Sequence, residues 1–181
     1  MIIGLSGRAR HGKSTATEAI IEQAEALGLS YGVYDIGALV LRHCIERGTL
    51  PNKRREDLTR EELDTMVKTG KGMREEDPEF WIKKVFEAIE EDRPDVAIIP
   101  NIRYLNEAYE FTRNGRGHII RVVSLNNDGS EYISPDRDSN HPSETELHSY
   151  PFDYWIKTKR GDAALVGELA ATIFSYLWEI Q

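Results

Sequence analysis

The stretch Gly7-Arg8-Ala9-Arg10-His11-Gly12-Lys13-Ser14 decides the fold once the residues on either side of it are read with it. Before it, residues 2–5 make a short apolar run of strand length. After it, Ala16, Ile20, Ala24 and Leu27 fall on one helical stripe that Gly28 ends. A glycine-bearing turn between a strand and a helix aims successive backbone N–H groups and a helix N-terminus at an anion. The spacing matches G-x-x-x-x-G-K-[ST] at every fixed position, which is the pattern of a polyphosphate cradle. In that geometry Gly7 and Gly12 permit close backbone approach, Lys13 reaches the outer phosphates, and the Ser14 hydroxyl ligates Mg²⁺. Arg8, Arg10 and His11 fill variable positions. A glycine turn of purely local purpose does not explain a lysine and a hydroxyl placed together after the second glycine.

Outward from this loop, apolar runs of strand length alternate with segments of helical period, the pattern of a parallel sheet with crossover helices. The spacing predicts strands over 31–35, 95–100, 118–125 and 152–157, and helices over 37–48 and 105–114. Residues 51–60 interrupt the alternation with a polar, basic stretch, so an insertion is expected. Thr59 with Glu62 matches a capping box, and Asp77 before Pro78 reads as an N-cap and first-turn pair, giving two insertion helices. Phe80, Trp81, Val85 and Ile89 form the packing face of the second. Residues 126–140 are polar and carry Gly, Pro and several Asp, which predicts a solvated, mobile loop. Asp162 caps a closing helix with Leu165, Leu169, Ile173 and Leu177 four apart. The fold class expected is α/β, with a sheet of about five parallel strands and helices on both faces.

The chain has 181 residues and a formal net charge of −8, which suits one domain and lacks the positive field of a nucleic-acid binder. No partner among nucleic acid polymers is expected, and any phosphate is held locally. Cys44, the single cysteine, cannot form an internal disulfide and is expected to be buried in a helix. No run approaches the length of a membrane span, and the N-terminus has no signal-peptide pattern, so a cytoplasmic protein without membrane partners is expected.

The loop alone suits a GTPase, a motor ATPase or a kinase. A guanine-reading Asn-Lys-x-Asp string and an Asp-x-x-Gly switch are both missing from the sequence, which leaves the small kinases. A kinase with a phosphorylated acceptor needs cations to hold the acceptor phosphate and to neutralise the charge of the transferred group. Arg74, in the run Gly70 to Pro78 read as a loop between the insertion helices, is assigned to the acceptor phosphate; pairing with Glu75 or Glu76 is the bland alternative. Arg103 follows the third strand, at the carboxyl edge where ligands of open α/β sheets bind. Asp35 stands on the same edge, where binding a substrate hydroxyl or amine and capping the next helix both stay open. His141 reads as structural, and Ser143 with Glu146 as a capping box.

These pieces resemble the bacteriophage-type deoxynucleoside monophosphate kinase family, a branch of the P-loop kinases. The resemblance spans nearly the whole chain. It rests on the loop, on Gly72-Met73-Arg74-Glu75-Glu76-Asp77-Pro78 followed by Trp81, on Asn101-Ile102-Arg103-Tyr104-Leu105-Asn106-Glu107-Ala108, and on His141-Pro142-Ser143-Glu144 with Leu147. It implies a three-layer P-loop kinase domain over 1–181, with residues 49–93 as a helical substrate-binding insertion and 125–141 as a lid. ATP and Mg²⁺ are the implied cofactors and a nucleotide the implied small-molecule partner. Lys13, Arg74, Arg103 and the lid arginines Arg121 and Arg137 are the implied catalytic cations, although Arg121 equally fits an outward strand position. Gly7, Arg10, His11, Gly12, Lys13, Ser14 and Thr15 are expected to line the ATP phosphates. Asp35, Arg74, Trp81, Arg103 and Glu107 are expected to line the acceptor, and Asn101 to support the Mg²⁺ shell. The family pattern has an aspartate where Asn101 stands and an asparagine near Lys157.

Two other functions stay open on the sequence. One keeps the chemistry and changes the acceptor to a phosphorylated metabolite such as phosphomevalonate. The other is a nucleotide-binding regulator without turnover, motivated by the missing charge at Asn101. A monomer and a homodimer are equally open, and for a phage-encoded chain the compartment would be the host cytoplasm.

Overall fold

The computed structural model describes every residue except 114, 116, 136, 137 and 181, and the backbone only at 112. It divides into two compact units, one formed by Met1–Val33 with Pro94–Gln181 and the other by Tyr34–Arg93.

The first unit is built on five parallel strands, β1 (Ile2–Ser6), β2 (Tyr31–Val33), β3 (Val96–Ile102), β4 (Gly117–Leu125) and β5 (Tyr154–Lys159), in the order β2-β3-β1-β4-β5. Among the described residues four helices accompany them: α1 (Lys13–Ala26), α5 (Leu105–Arg113), α6 (Pro142–Thr145) and α7 (Ala163–Glu179). Strand alternation assigns the two faces. Ile3 and Leu5 of β1, Val96 and Ile98 of β3, and Ile120 and Val122 of β4 form one buried cluster with Ala16, Ile20 and Ala24 of α1 and Val166, Ala170, Phe174 and Leu177 of α7. Intervening residues face the other way, where a Cβ added at Gly4 would lie 3.0 Å from the Phe111 ring of α5. Glycine at position 4 is therefore the space that this fully buried aromatic ring fills. The outcome is the three-layer α/β arrangement expected from the sequence.

The topology also places the loop. β1 lies between β3 and β4, and the chain leaves it towards β2 on one side while β3 leads through α5 to β4 on the other. The carboxyl end of β1 is thus the point where the crossovers diverge, the crevice in which open α/β sheets take their ligands. In register, Ser6 pairs with Ile102 of β3 and with Arg121 of β4.

The second unit holds α2 (Ile36–Glu46), a short 3-10 turn (Arg55–Asp57), α3 (Arg60–Glu76) and α4 (Phe80–Asp92). It is wider than the 49–93 insertion expected, because α2 packs on α3 and α4. The capping box of Thr59 and Glu62 forms as the sequence predicts, and Cys44 is buried on α2. Other local expectations change. β2 stops at Val33, so Asp35 does not end a strand; its carboxylate accepts from Ala38 N–H at 2.9 Å and caps α2. The run Gly70 to Glu76 is not a loop but the last turns of α3. There Gly70 is buried and a Cβ at that position would touch Val40 of α2 at 3.4 Å, so the glycine serves helix packing rather than a turn. Asp77 does not cap α4 either. It accepts from Glu79 N–H and pairs with Lys83, and α4 begins at Phe80.

Candidate active site

The loop between β1 and α1 has the backbone of an anion cradle. Gly7, Arg10 and Gly12 take φ of 152°, 63° and 92°, and the left-handed Gly12 opens α1 without a side-chain cap. No acidic residue occupies the first turn of α1, so no side chain of that turn offsets the positive end of its dipole. Lys13 is buried and its Nζ donates at 2.9 Å to both the Gly7 and Arg8 carbonyl oxygens, which tethers it across the mouth of the loop. Ser14 is exposed and Thr15 half-buried at the same helix end. Arg10 is exposed.

Gly7 is required twice over. Its φ lies in the region that L side chains avoid, and a Cβ there would collide with the Val122 carbonyl oxygen of β4. Gly7→Ala is expected to cost about 3 kcal/mol, the upper range for local backbone strain. In a chain of this size that lowers the melting temperature by about 6–12 °C. An unchanged melting temperature by calorimetry would contradict the loop geometry.

Two arginines flank the end of β1. Arg121 lies on β4, buried, donating to Ser6 Oγ at 3.0 Å with its guanidinium 5.3 Å from the Phe152 ring centroid. It is neither a lid residue nor an outward one: Ile120 and Val122 face the α1 and α7 layer, so Arg121 faces the other layer at the carboxyl end. Burial lowers its pKa below the ordinary arginine value, and Glu131 opposes that shift. Arg103 follows β3 and is fixed by several acceptors. Its Nη1 reaches Glu144 Oε1 at 2.7 Å and Ser143 O at 3.2 Å, and its Nη2 reaches Asn101 Oδ1 at 3.5 Å. Glu107, expected on the substrate, instead accepts from the backbone N–H groups of Arg103 and Tyr104 at 2.8 and 3.2 Å. Its carboxylate closes the first turn of α5 and sets where Arg103 starts. Ser6, Gly7, Arg103, Arg121, Ser143 and Glu144 line one cleft.

Sequence reasoning missed Arg8 and misplaced His11. Arg8 is buried, with Nη2 2.8 Å from His148 Nε2 and Nε 3.5 Å from Glu131. The His11 ring is buried, with Nε2 2.7 Å from Tyr132 O and Nδ1 3.3 Å from Val122 O. Glu131 thus stands against Arg8, His11 and Arg121, with distances of 3.5, 3.7 and 4.0 Å. The segment after β4 is accordingly not all solvated. Tyr132 and Ser134 are buried, while the Asn126–Ser130 hydrogen bond closes a tight exposed turn. Arg137 lies outside the described residues. At the end of this segment His141 supplies the cap of α6, accepting from Ser143 N–H, and Glu146 accepts from Leu105 N–H, so the expected Ser143–Glu146 box does not form.

Burial lowers the His11 pKa below 6.5, with the Lys13 charge acting the same way and the bonds to Tyr132 O and Val122 O and the Glu131 charge opposing. The unfolded chain therefore binds a proton on this residue before the folded one does. Stability from this group is fully present above about pH 6.5 and is lost as the pH falls through the folded value. His11→Gln, which keeps a donor for Tyr132 O, is expected to flatten the fall of melting temperature between about pH 7 and 5. An identical slope in the variant would refute the buried, neutral ring.

In the helical unit, Arg74 Nη1 donates to Gly70 O at 3.3 Å and Trp81 Nε1 donates to the same oxygen at 3.0 Å. Trp81 is buried and its ring stands edge-on to His43 and Phe80. It is a core side chain of this unit rather than an open substrate platform.

Among the described residues no group of three or more His, Cys, Asp or Glu side chains could hold a metal. Mg²⁺ on a nucleotide does not need one, because it keeps waters and phosphate oxygens and takes one or two protein ligands. The exposed Ser14 hydroxyl at the start of α1 fits that donor set.

No family model and no curated protein matches the chain. Among solved structures, a crystal structure of shikimate kinase from Aquifex aeolicus is similar over 97% of this chain and 83% of that chain, at 19% identity and a TM-score of 0.40. That likeness is too slight to carry an argument. The reading of the site rests on the loop and its flanking arginines. Among the described residues no helix is long and apolar enough to cross a membrane.

Proposed function

We propose that the chain transfers the γ-phosphoryl group of ATP to a small phosphorylated acceptor, a deoxynucleoside monophosphate. The observation that carries this reading is the union of a complete phosphate-loop backbone with Lys13 and two arginines, Arg121 on β4 and Arg103 directly after β3, the two strands that flank β1. The loop N–H groups and the α1 N-terminus hold the donor's phosphates, and Lys13 exchanges its two carbonyl acceptors for phosphate oxygens. Arg121 and Arg103 stand on opposite sides of the loop's first residue, where charge spreading over the transferred group needs fixed cations. Mg²⁺ held by Ser14 would neutralise the donor's phosphate charge. Asn101 brings an amide oxygen rather than a carboxylate to this region, so its support of the metal's waters is a neutral hydrogen bond.

A phosphate monoester is already anionic at neutral pH and needs no general base, so positioning is the catalytic task. Asp35, occupied as a helix cap, is in keeping with such an acceptor rather than a free alcohol. Arg103 is assigned to the acceptor's phosphate on the strength of the motif that contains it. The identity of the acceptor is tested by ADP release with ATP and Mg²⁺ against ribo- and deoxyribonucleoside monophosphates, phosphomevalonate and a no-acceptor control. Turnover on one or a few monophosphates is the expected result. Turnover on phosphomevalonate alone would move the acceptor outside nucleotides, and ATP binding with a silent panel would make the chain a nucleotide-binding regulator.

A further inference from the structure

The loop already holds an anion of the protein's own. Glu144 of α6 sends one carboxylate oxygen to Ala9 N–H of the loop at 3.0 Å and the other to Arg103 Nη1 at 2.7 Å. The side chain is 4% exposed. It lines the same cleft as Gly7 and Arg121, and its charge is felt at the Arg121 guanidinium. A buried carboxylate is held in place only where donors satisfy it, and both donors here belong to the machinery assigned to phosphate.

We propose that Glu144 is an internal stand-in for a ligand phosphate, which occupies the Ala9 N–H and Arg103 and is displaced when a phosphate group enters. This rests on reading the loop as a phosphate cradle, as the function proposed above does. A carboxylate carries one negative charge and a terminal phosphate close to two, with more acceptor oxygens, so the exchange favours the phosphate. The displaced carboxylate does not stay beside the bound anion, because two like charges in a dry site repel strongly. It leaves with α6, a single turn of four residues capped by His141, and Arg103 is released from Glu144 to the ligand. Glu144 therefore weakens phosphate binding and holds Arg103 in place until a phosphate group enters.

Inorganic pyrophosphate, titrated calorimetrically into the full chain and into Glu144→Gln at one ionic strength, tests this by binding alone. Glutamine keeps the size and an oxygen for Ala9 N–H but lacks the charge that holds Arg103. The variant is expected to bind pyrophosphate about tenfold more tightly, the equivalent of one charge-assisted hydrogen bond no longer to be broken. Equal or weaker binding by the variant, or no binding by either form, overturns the proposal. A second measurement needs no substitution: on adding pyrophosphate to the unaltered chain, amide hydrogen exchange should slow over 7–14 and quicken over 141–147. Slowing over both segments would show that the anion binds beside Glu144 rather than in its place. A chain that meets both expectations yet transfers no phosphate would keep this inference and lose the kinase reading.

Discussion

Lys13→Ala is expected to lower phosphoryl transfer by about 10²–10³-fold, the usual loss when one preorganised charge contact to a transition state is removed. The lysine is buried and bonded to two carbonyl oxygens of its own loop, so its removal also unties the loop's mouth. Those carbonyls can turn to water, and Lys13 is not itself part of the buried apolar cluster, so the fold should persist. The check is kcat with saturating ATP and acceptor, paired with a circular dichroism melt. Near-normal turnover in a folded variant would remove the loop from the chemistry.

Arg103→Ala carries the second large effect, and it acts on stability as well as rate. It deletes the cation facing buried Glu144, a carboxylate that also accepts from Ala9 N–H. Breaking a fully buried pair costs about 3–5 kcal/mol. With the Arg103 side chain 17% exposed, water can partly replace it, and the lower end, about 3 kcal/mol, is expected. Turnover should fall by about 10²-fold or more. Arg103→Lys tests geometry against charge, since a lysine is a point charge that cannot span Glu144, Ser143 O and Asn101 as the planar guanidinium does. It should recover part of the stability and little of the rate. Full recovery of both would reduce Arg103 to a simple counter-ion.

What was legible in the sequence was what depends on neighbours in the chain. Glycine spacing, the apolar run before it and the stripe after it define a strand, a turn and a helix within a few residues, and β1, the loop and α1 stand as the pattern requires. The capping box at Thr59 is equally local. Gly70 misled for the same reason, because glycine also marks the place where a helix must come close to another, and only Val40 on α2 shows which meaning applies; Gly72, where an added Cβ would meet nothing within 4 Å, has no such role. His11 and Arg8 sit at positions the motif leaves free, so no pattern says that one is buried and the other pairs with Glu131. Glu144 was visible as part of the His141-Pro142-Ser143-Glu144 string, yet its bond to Ala9 joins residues 135 positions apart. Such pairings are set by the sheet order, which brings β3, β1 and β4 together, and by no local signal.

The proposed function requires the loop to move a phosphoryl group between two small molecules. The most direct measurement follows label from [γ-³²P]ATP, with Mg²⁺ and a pool of deoxynucleoside monophosphates, by thin-layer separation of the products. Label in a deoxynucleoside diphosphate, dependent on Lys13, is the expected result. Label that remains in ATP or appears only as inorganic phosphate would contradict it.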